Sequence, residues 1–248
     1  MLRKRIIPIV LLDGFSVLKT INFNVRRNLG SPITVAKTYN TRNVDELVLL
    51  DIDASKQGRS IDKFTIAEIA QECFMPLTVG GGIRTIKDIR DLLAKGADKI
   101  SINSYALENP DFIKEASDIF GAQCVVVSID VIEDGGNFYI YNKGVILRDL
   151  DLIEWIQMVE KLGAGEILVN NVSRDGTMIG ANIHLAELVS DSVFIPVIYA
   201  GGVSSPIDAA LVAETKISGI GIASIFHFTD YTPDDCRNAL KAKLIPVR

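Results

Sequence analysis

The chain has 248 residues, 48% of them apolar and 23% charged, which is enough to bury a large core without disulfide or metal staples. Its formal net charge is −5, from 26 basic and 31 acidic residues, which excludes the basic profile of a nucleic-acid or anionic-membrane partner. Three scattered cysteines, Cys73, Cys124 and Cys236, have no metal-type spacing and read as reduced thiols of a cytoplasmic protein.

The stretch Met1-Leu-Arg-Lys-Arg, followed by the apolar run 6–12, has the outline of a signal peptide. The run is short, contains Pro8 and precedes no small-residue cleavage site, so it is read as a buried first strand. No segment is long enough to span a bilayer. Further runs rich in Ile, Val and Leu follow, and the eight candidate strands are 5–11, 46–52, 76–79, 98–103, 123–130, 166–171, 195–199 and 218–223. Amphipathic stretches separate them at 61–73, 85–95, 110–120, 150–162, 206–213 and 233–243. Eight strands that are apolar on both faces, alternating with helices, predict a closed parallel (β/α)₈ TIM barrel. An open doubly wound sheet is the alternative, weakened because no G-x-G-x-x-G follows the first run.

An internal repeat supports the barrel. Glu46-Leu-Val-Leu-Leu matches Glu166-Ile-Leu-Val-Asn at an offset of 120, Gly81-Gly82-Ile matches Gly201-Gly202-Val, and Lys99-Ile-Ser-Ile-Asn falls on Gly219-Ile-Gly-Ile-Ala. Two half-barrels of four βα units each explain this pattern. No linker or low-complexity segment divides them, so residues 1–248 are read as a single domain.

In such barrels the chemistry lies at the C-terminal ends of the strands. Gly80-Gly81-Gly82 and Gly201-Gly202 mark two of those ends, and Asn103-Ser104 and Ala223-Ser224 mark the next ones. Glycine lets a backbone approach an anion closely, and amides at a helix start favour negative charge. The repeat therefore predicts two phosphate sites across the mouth, suited to a phosphorylated small molecule with a phosphate at each end. The plainer alternative is that these glycines only relieve crowding at strand-to-helix turns. The connection 12–30 carries Lys19, Arg26 and Arg27 and is long enough to be a lid, with Lys19 the candidate for a mobile cation closing over the ligand.

The fifth run ends Val126-Val127-Ser128-Ile129-Asp130, and a carboxylate closing so apolar a strand is the first choice for a general acid or base. Apolar walls would raise its pKa toward a useful range. Its half-barrel partner, at an offset of 119, is Leu11, which cannot transfer a proton. Asp13, with the same strand parity, is the candidate replacement if its loop folds back. His184 and His227 read as surface or packing residues, and neither a metal-ligand cluster nor a cofactor motif is visible.

At the opposite end, Arg5, Glu46, Lys99 and Glu166 open four of the strands, and parity turns them inward. Two cations and two anions can form a salt-bridged plug, or they can line a polar route for a small molecule.

The stretches Met1-Leu-Arg-Lys-Arg-Ile-Ile-Pro, Asp45-Glu-Leu-Val-Leu-Leu-Asp-Ile, Thr78-Val-Gly-Gly-Gly-Ile-Arg, Gly96-Ala-Asp-Lys-Ile-Ser-Ile-Asn, Gly163-Ala-Gly-Glu-Ile-Leu, Ser173-Arg-Asp-Gly-Thr and Ala223-Ser-Ile-Phe-His-Phe resemble the cyclase (synthase) subunit of imidazole glycerol phosphate synthase. The resemblance spans nearly the whole chain. It implies a heterodimer with a glutaminase docked at the base near Asp98, and ammonia entering through a gate of Arg5, Glu46, Lys99 and Glu166. It further implies a bisphosphate at the mouth, held by residues including Lys19, Asn103, Asp175, Thr177 and the two glycine clusters. The departures lie at the chemistry. The family's catalytic Asp on the first strand falls on Leu11, its Thr-Ser after the sixth strand falls on Asn170-Asn171, and its Gly-Tyr-Asp falls on Gly180-Ala-Asn. This combination is similar to paralogues associated with bacterial surface polysaccharides, where a glutaminase and a sugar amidotransferase are partners in making acetamidino groups. Three readings follow: an ammonia-handling subunit for sugar amidination, a true cyclase of histidine biosynthesis, and a non-catalytic phosphate-binding scaffold that activates a glutaminase.

Overall fold

Each barrel strand is a run of β-branched residues and leucine that buries one face under helices and the other inside the barrel. The computed structural model describes residues 3–248; Met1 and Leu2, the start of the N-terminal stretch read above, lie outside the described residues. In chain order the strands are β1 (Arg5–Leu12), β2 (Val17–Ile21), β3 (Val25–Gly30), β4 (Leu47–Asp51), β5 (Leu77–Gly80), β6 (Lys99–Ile102), β7 (Val125–Asp134), β8 (Asn137–Asn142), β9 (Val145–Leu147), β10 (Glu166–Asn171), β11 (Val197–Ala200) and β12 (Gly219–Ile222). The strands β1, β4, β5, β6, β7, β10, β11 and β12 pair in parallel in that order, and β12 returns to β1, which closes the (β/α)₈ barrel.

The helices are α1 (Pro32–Thr41), α2 (Lys63–Ala70), α3 (Ile86–Ala94), α4 (Ser104–Glu108), α5 (Asp111–Phe120), α6 (Leu152–Lys161), α7 (Ile183–Asp191), α8 (Pro206–Val212), α9 (Ser224–Phe228) and α10 (Pro233–Ala242). Their starts carry local signals: Thr85 and Thr232 form capping boxes with Asp88 and Asp235, while Asp62, Asp151, Asn182 and Ser205 accept from amides of the first turn. The short helices α4 and α9 begin at equivalent points of the sequence repeat, each directly after a barrel strand.

Four further strands rise from the mouth. The connection read as a lid is a hairpin, β2 and β3, that continues the sheet from β1 through Leu11 opposite Leu18. The strand β7 runs past the barrel rim and pairs with β8, which pairs with β9. The first hairpin is not apparent from apolar periodicity, because β3 is exposed along most of its length.

Inside the barrel, Ile7, Val48, Val126, Leu168, Ile198 and Ala200 form an apolar cluster separate from the core between strands and helices. Below it the four inward charges meet. Arg5 bonds Glu46 at 2.8 Å and also Glu166, while Lys99 reaches Glu46 at 3.0 Å and Glu166 at 2.8 Å. Thr78 donates to the other oxygen of Glu46 at 2.7 Å, and Ser218 accepts from Arg5 at 3.0 Å. Every charge in the ring therefore has opposite partners on both sides. Asp98 lies at the same end, exposed, with one carboxylate oxygen accepting from the Leu77 amide at 2.8 Å. Among the described residues no helix is long and apolar enough to cross a membrane.

The ring makes a stability prediction. Removing one partner of a buried ion pair leaves an uncompensated charge, so Lys99→Met should cost about 3 kcal/mol, read as a lower urea midpoint. A midpoint equal to wild type would mean that water already solvates Glu46 and Glu166.

Candidate active site

The barrel mouth holds a cavity of about 350 Å³. Its walls include Gly81, Gly82, Asn103 and Ser104 on one side and Gly201, Gly202, Ala223 and Ser224 on the other, with Lys19, Asp130 and Asp175 between them. The two glycine pairs are built alike. Gly81 and Gly82 have φ of +127° and +63°, and Gly201 and Gly202 have +103° and +89°. A Cβ on Gly82 would lie 1.8 Å from the Arg59 carbonyl oxygen, and one on Gly202 would lie 2.4 Å from that of Gly180. Both the left-handed backbone and the close approach of a neighbouring loop therefore require glycine. The turns that position the cavity walls account for these residues, and the same four glycines line the cavity.

Three carboxylates line the cavity, and two are already committed. Asp51 accepts from Arg59 at 2.6 Å and from the amides of Asp53 and Ala54 at 3.0 Å each. Asp175 accepts from Lys19 and from the Thr20 hydroxyl, each at 2.9 Å. Asp130, by contrast, has only neutral amide partners: Asn103 donates to it at 2.7 Å and Asn170 at 3.4 Å. Asn103 precedes α4 without capping it, because its side chain is turned to Asp130. Burial pushes the Asp130 carboxyl up to about 6, with the Asn103 and Asn170 hydrogen bonds opposing that rise and the charge of Asp175 adding to it. A carboxyl poised there can exchange protons near neutral pH.

Ile9, Leu11 and Leu50 supply apolar wall to the same cavity. Asp13 supplies no carboxyl to this wall. Its Oδ1 accepts from the amides of Phe15 at 3.3 Å and Ser16 at 2.9 Å, so it closes the turn into β2 and is not among the cavity-lining residues. Strand parity predicted its direction wrongly because β1 has ended and the chain turns at Asp13. Thr177 is corrected in the same way: its hydroxyl donates to the Arg174 carbonyl at 2.7 Å inside a local turn, away from the cavity lining.

Lys19 is docked and nearly buried, at 3% exposure, where the loop reading expected a loose cation. The hairpin that carries it is fastened on two sides. The Asn22 amide donates to the Asp175 carbonyl at 2.8 Å, and Arg26 makes a two-point contact with Asp53 at 2.5 and 2.7 Å. Nearby His227 packs edge-on against Tyr39, and burial, with the charges of Lys19 and Arg42, holds its pKa down at about 4. It is therefore neutral at neutral pH, in keeping with a packing role.

Sequence reading missed Asp51, Phe23 and the Tyr141–Gly144 segment of the cavity wall. Asp51 closes an apolar run just as Asp130 does, although β7 itself continues to Asp134, so the same signal was present. The β7–β8 turn was also marked, by Gly135-Gly136 followed by the aromatic-rich run Phe138-Tyr-Ile-Tyr.

Two measurements test this electrostatic picture. The Asp130 carboxyl has an ordinary value of 3.8 and is raised to about 6 in the fold, so its contribution to stability is complete below the lower value and is lost as pH rises through the higher. Asp130→Asn should therefore gain stability over wild type between about pH 4 and pH 7, by at most about 3 kcal/mol. A pH-independent difference in urea unfolding would place the carboxyl at its ordinary value. Asn103→Leu removes the shorter hydrogen bond and should move the carboxyl-carbon NMR titration of Asp130 upward by about one unit; a downward shift would show that Asn103 does not stabilise the anion.

Comparison with known proteins gives the family. Residues 5–232 match the family model described as histidine biosynthesis protein. A Campylobacter jejuni protein, named provisionally as imidazole glycerol phosphate synthase subunit hisF2, is 45% identical over 248 residues, covering 100% of this chain and 99% of its own. A Lactococcus lactis subsp. cremoris imidazole glycerol phosphate synthase subunit HisF is 45% identical over 252 residues, covering 100% of this chain and 97% of its own. The corresponding HisF subunit of Clostridium botulinum is 44% identical over 253 residues, with 100% of both chains covered. With its closed eight-stranded barrel, the chain belongs to the histidine biosynthesis protein family, as a relative of the HisF subunits of imidazole glycerol phosphate synthase.

Proposed function

We propose that this chain is the barrel subunit of a glutamine amidotransferase whose glutaminase partner docks at the base, near Asp98, and that its ammonia serves sugar amidination more than imidazole ring closure. The observation that carries the proposal is the unequal mouth. Asp130 is a proton-exchanging carboxyl, the equivalent position of the other half-barrel is Leu11, and Asp13 is tied to its own turn. A reaction that needs an acid and a base on opposite faces of its substrate loses roughly 10²–10⁴-fold when one is absent. Ligand binding does not need that second group. The glycine pairs with Asn103, Ser104 and Ser224, and Lys19 with Asp175, are the groups proposed to hold a phosphate at each end of the ligand.

In the same reading the base ring is the ammonia gate. Neutral ammonia can cross an apolar layer that ammonium cannot, and the interior above the ring is lined by Ile7, Val48, Val126, Leu168 and Ile198. Opening needs one ion pair to part, and the alternation of Arg5, Glu46, Lys99 and Glu166 leaves each residue a second partner while it does. A phosphorylated ligand at the mouth, a glutaminase at the base and a sugar amidotransferase downstream would be the partners of a cytoplasmic complex.

Cyclase chemistry of histidine biosynthesis is the second reading, favoured by full-length identity of 44–45% to proteins named HisF. One assay separates the two: the purified chain with ammonium salt and the bisphosphate imidazole precursor. Slow turnover is expected, with Leu11→Asp raising it by roughly 10²-fold or more and Asp130→Asn cancelling the gain. Rapid wild-type turnover that Leu11→Asp leaves unchanged would overturn the amidination reading in favour of the cyclase.

A further inference from the structure

The hairpin that follows β7 brings Tyr141, Asn142, Lys143 and Gly144 to the cavity, and its tip carries an unfavourable choice of residue. Asn142 and Val145 are paired, so Lys143 and Gly144 form a two-residue turn, and both have positive φ, +50° and +90°. Such turns favour Asn-Gly because a side chain at positive φ crowds its own backbone. A lysine there is a local cost that an exposed turn has no reason to keep. The turn is also fixed in place. The Ser104 hydroxyl donates to the Asn142 side chain at 2.7 Å, joining the tip to the residue that opens α4 beside Asn103.

The ammonium of Lys143 reaches Glu108, at the end of α4, at 2.5 Å. Glu108 has a second cation, Arg84, at 3.1 Å, and Arg84 lies over the Tyr105 ring at 5.2 Å. If Lys143 turned into the cavity, Glu108 would keep a counter-charge. Lys143 is thus a spare cation held at the edge of the site. The side of the mouth built by Gly81, Gly82 and Ser104 receives no cation from β5 or from the upper part of β6. The opposite side has Lys19, whose charge bears on His227 of α9.

We infer that Lys143 is a phosphate-binding residue, which leaves Glu108 to pair with a ligand phosphate seated against Gly81, Gly82 and Ser104. The inference rests on the phosphate reading of the mouth and deepens it. It assigns one lysine to each end of a bisphosphate, Lys19 from the first hairpin and Lys143 from the second. It also accounts for a lysine where glycine or asparagine would make the easier turn.

The test is a titration of the isotope-labelled chain with inorganic phosphate, following the backbone amides of Gly81 and Gly82 separately from those of Gly201 and Gly202. Lys143→Gly suits the turn and removes the amine. It is expected to raise the thermal midpoint, to weaken phosphate binding at Gly81 and Gly82 by about tenfold, and to leave Gly201 and Gly202 unaffected. Lys143→Arg should bind within about twofold of wild type. Lys56 serves as the comparison, being the third lysine that lines the cavity beside Lys19 and Lys143. Unchanged binding in Lys143→Gly, an equal loss at both glycine pairs, or a larger loss from Lys56→Met would overturn the assignment. Absence of any wild-type response at either pair would instead remove the phosphate reading beneath it.

Discussion

Asp130 sits where the apolar interior of the barrel gives way to the cavity, and the hydrogen bonds from Asn103 and Asn170 are what let a carboxylate ionise there near pH 6. Without donors, a group this desolvated would hold its proton to still higher pH or be driven out toward water. With a fixed cation beside it, the group would be one half of an ion pair, the arrangement Asp51 has with Arg59 and Asp175 has with Lys19. Neutral amides occupy the middle ground. They hold the carboxyl in place and leave its proton exchangeable, and the rest of the mouth is arranged around that group.

The barrel explains how such different environments fit within one molecule. Successive strand residues alternate between the helix layer and the interior, so one strand delivers a charge to the base, an apolar residue to the middle and a polar one to the mouth. Thus β10 presents Glu166, Leu168 and Asn170, and β1 presents Arg5, Ile7, Ile9 and Leu11. Leu11 shapes the mouth, while the two layers beneath it are set by other residues of β1. The Leu11 side chain continues the apolar wall of Ile9 and Leu50, so this part of the mouth has no titratable group to set against Asp130.

Most of this framework could be read from the residues. The eight strands announce themselves by apolar runs, the ring by charges that open those runs, and the half-barrel repeat by paired glycines whose left-handed backbones the structure reproduces. The errors share one cause. Asp13 and Thr177 were placed by strand parity or by motif resemblance, yet each lies in a turn whose own backbone groups capture its side chain. Lys19 looked free because the chain around it is rich in charge, and the acceptor that fixes it, Asp175, lies 156 positions away. The first hairpin escaped notice because β3 is exposed and charged, and the second because β8 is only half-buried and lies beyond the run that ends at Asp130.

The central claim is that the mouth holds its ligand with a single proton-transferring carboxyl and passes ammonia on. Glutamine labelled with ¹⁵N in its amide, supplied to the complex of this chain and its glutaminase with the bisphosphate imidazole precursor present, follows that nitrogen directly. The account predicts that the label leaves as free ammonia, or enters an amidinated sugar when the amidotransferase is added, with little in any imidazole. Label incorporated into an imidazole ring as fast as glutamine is hydrolysed would contradict it.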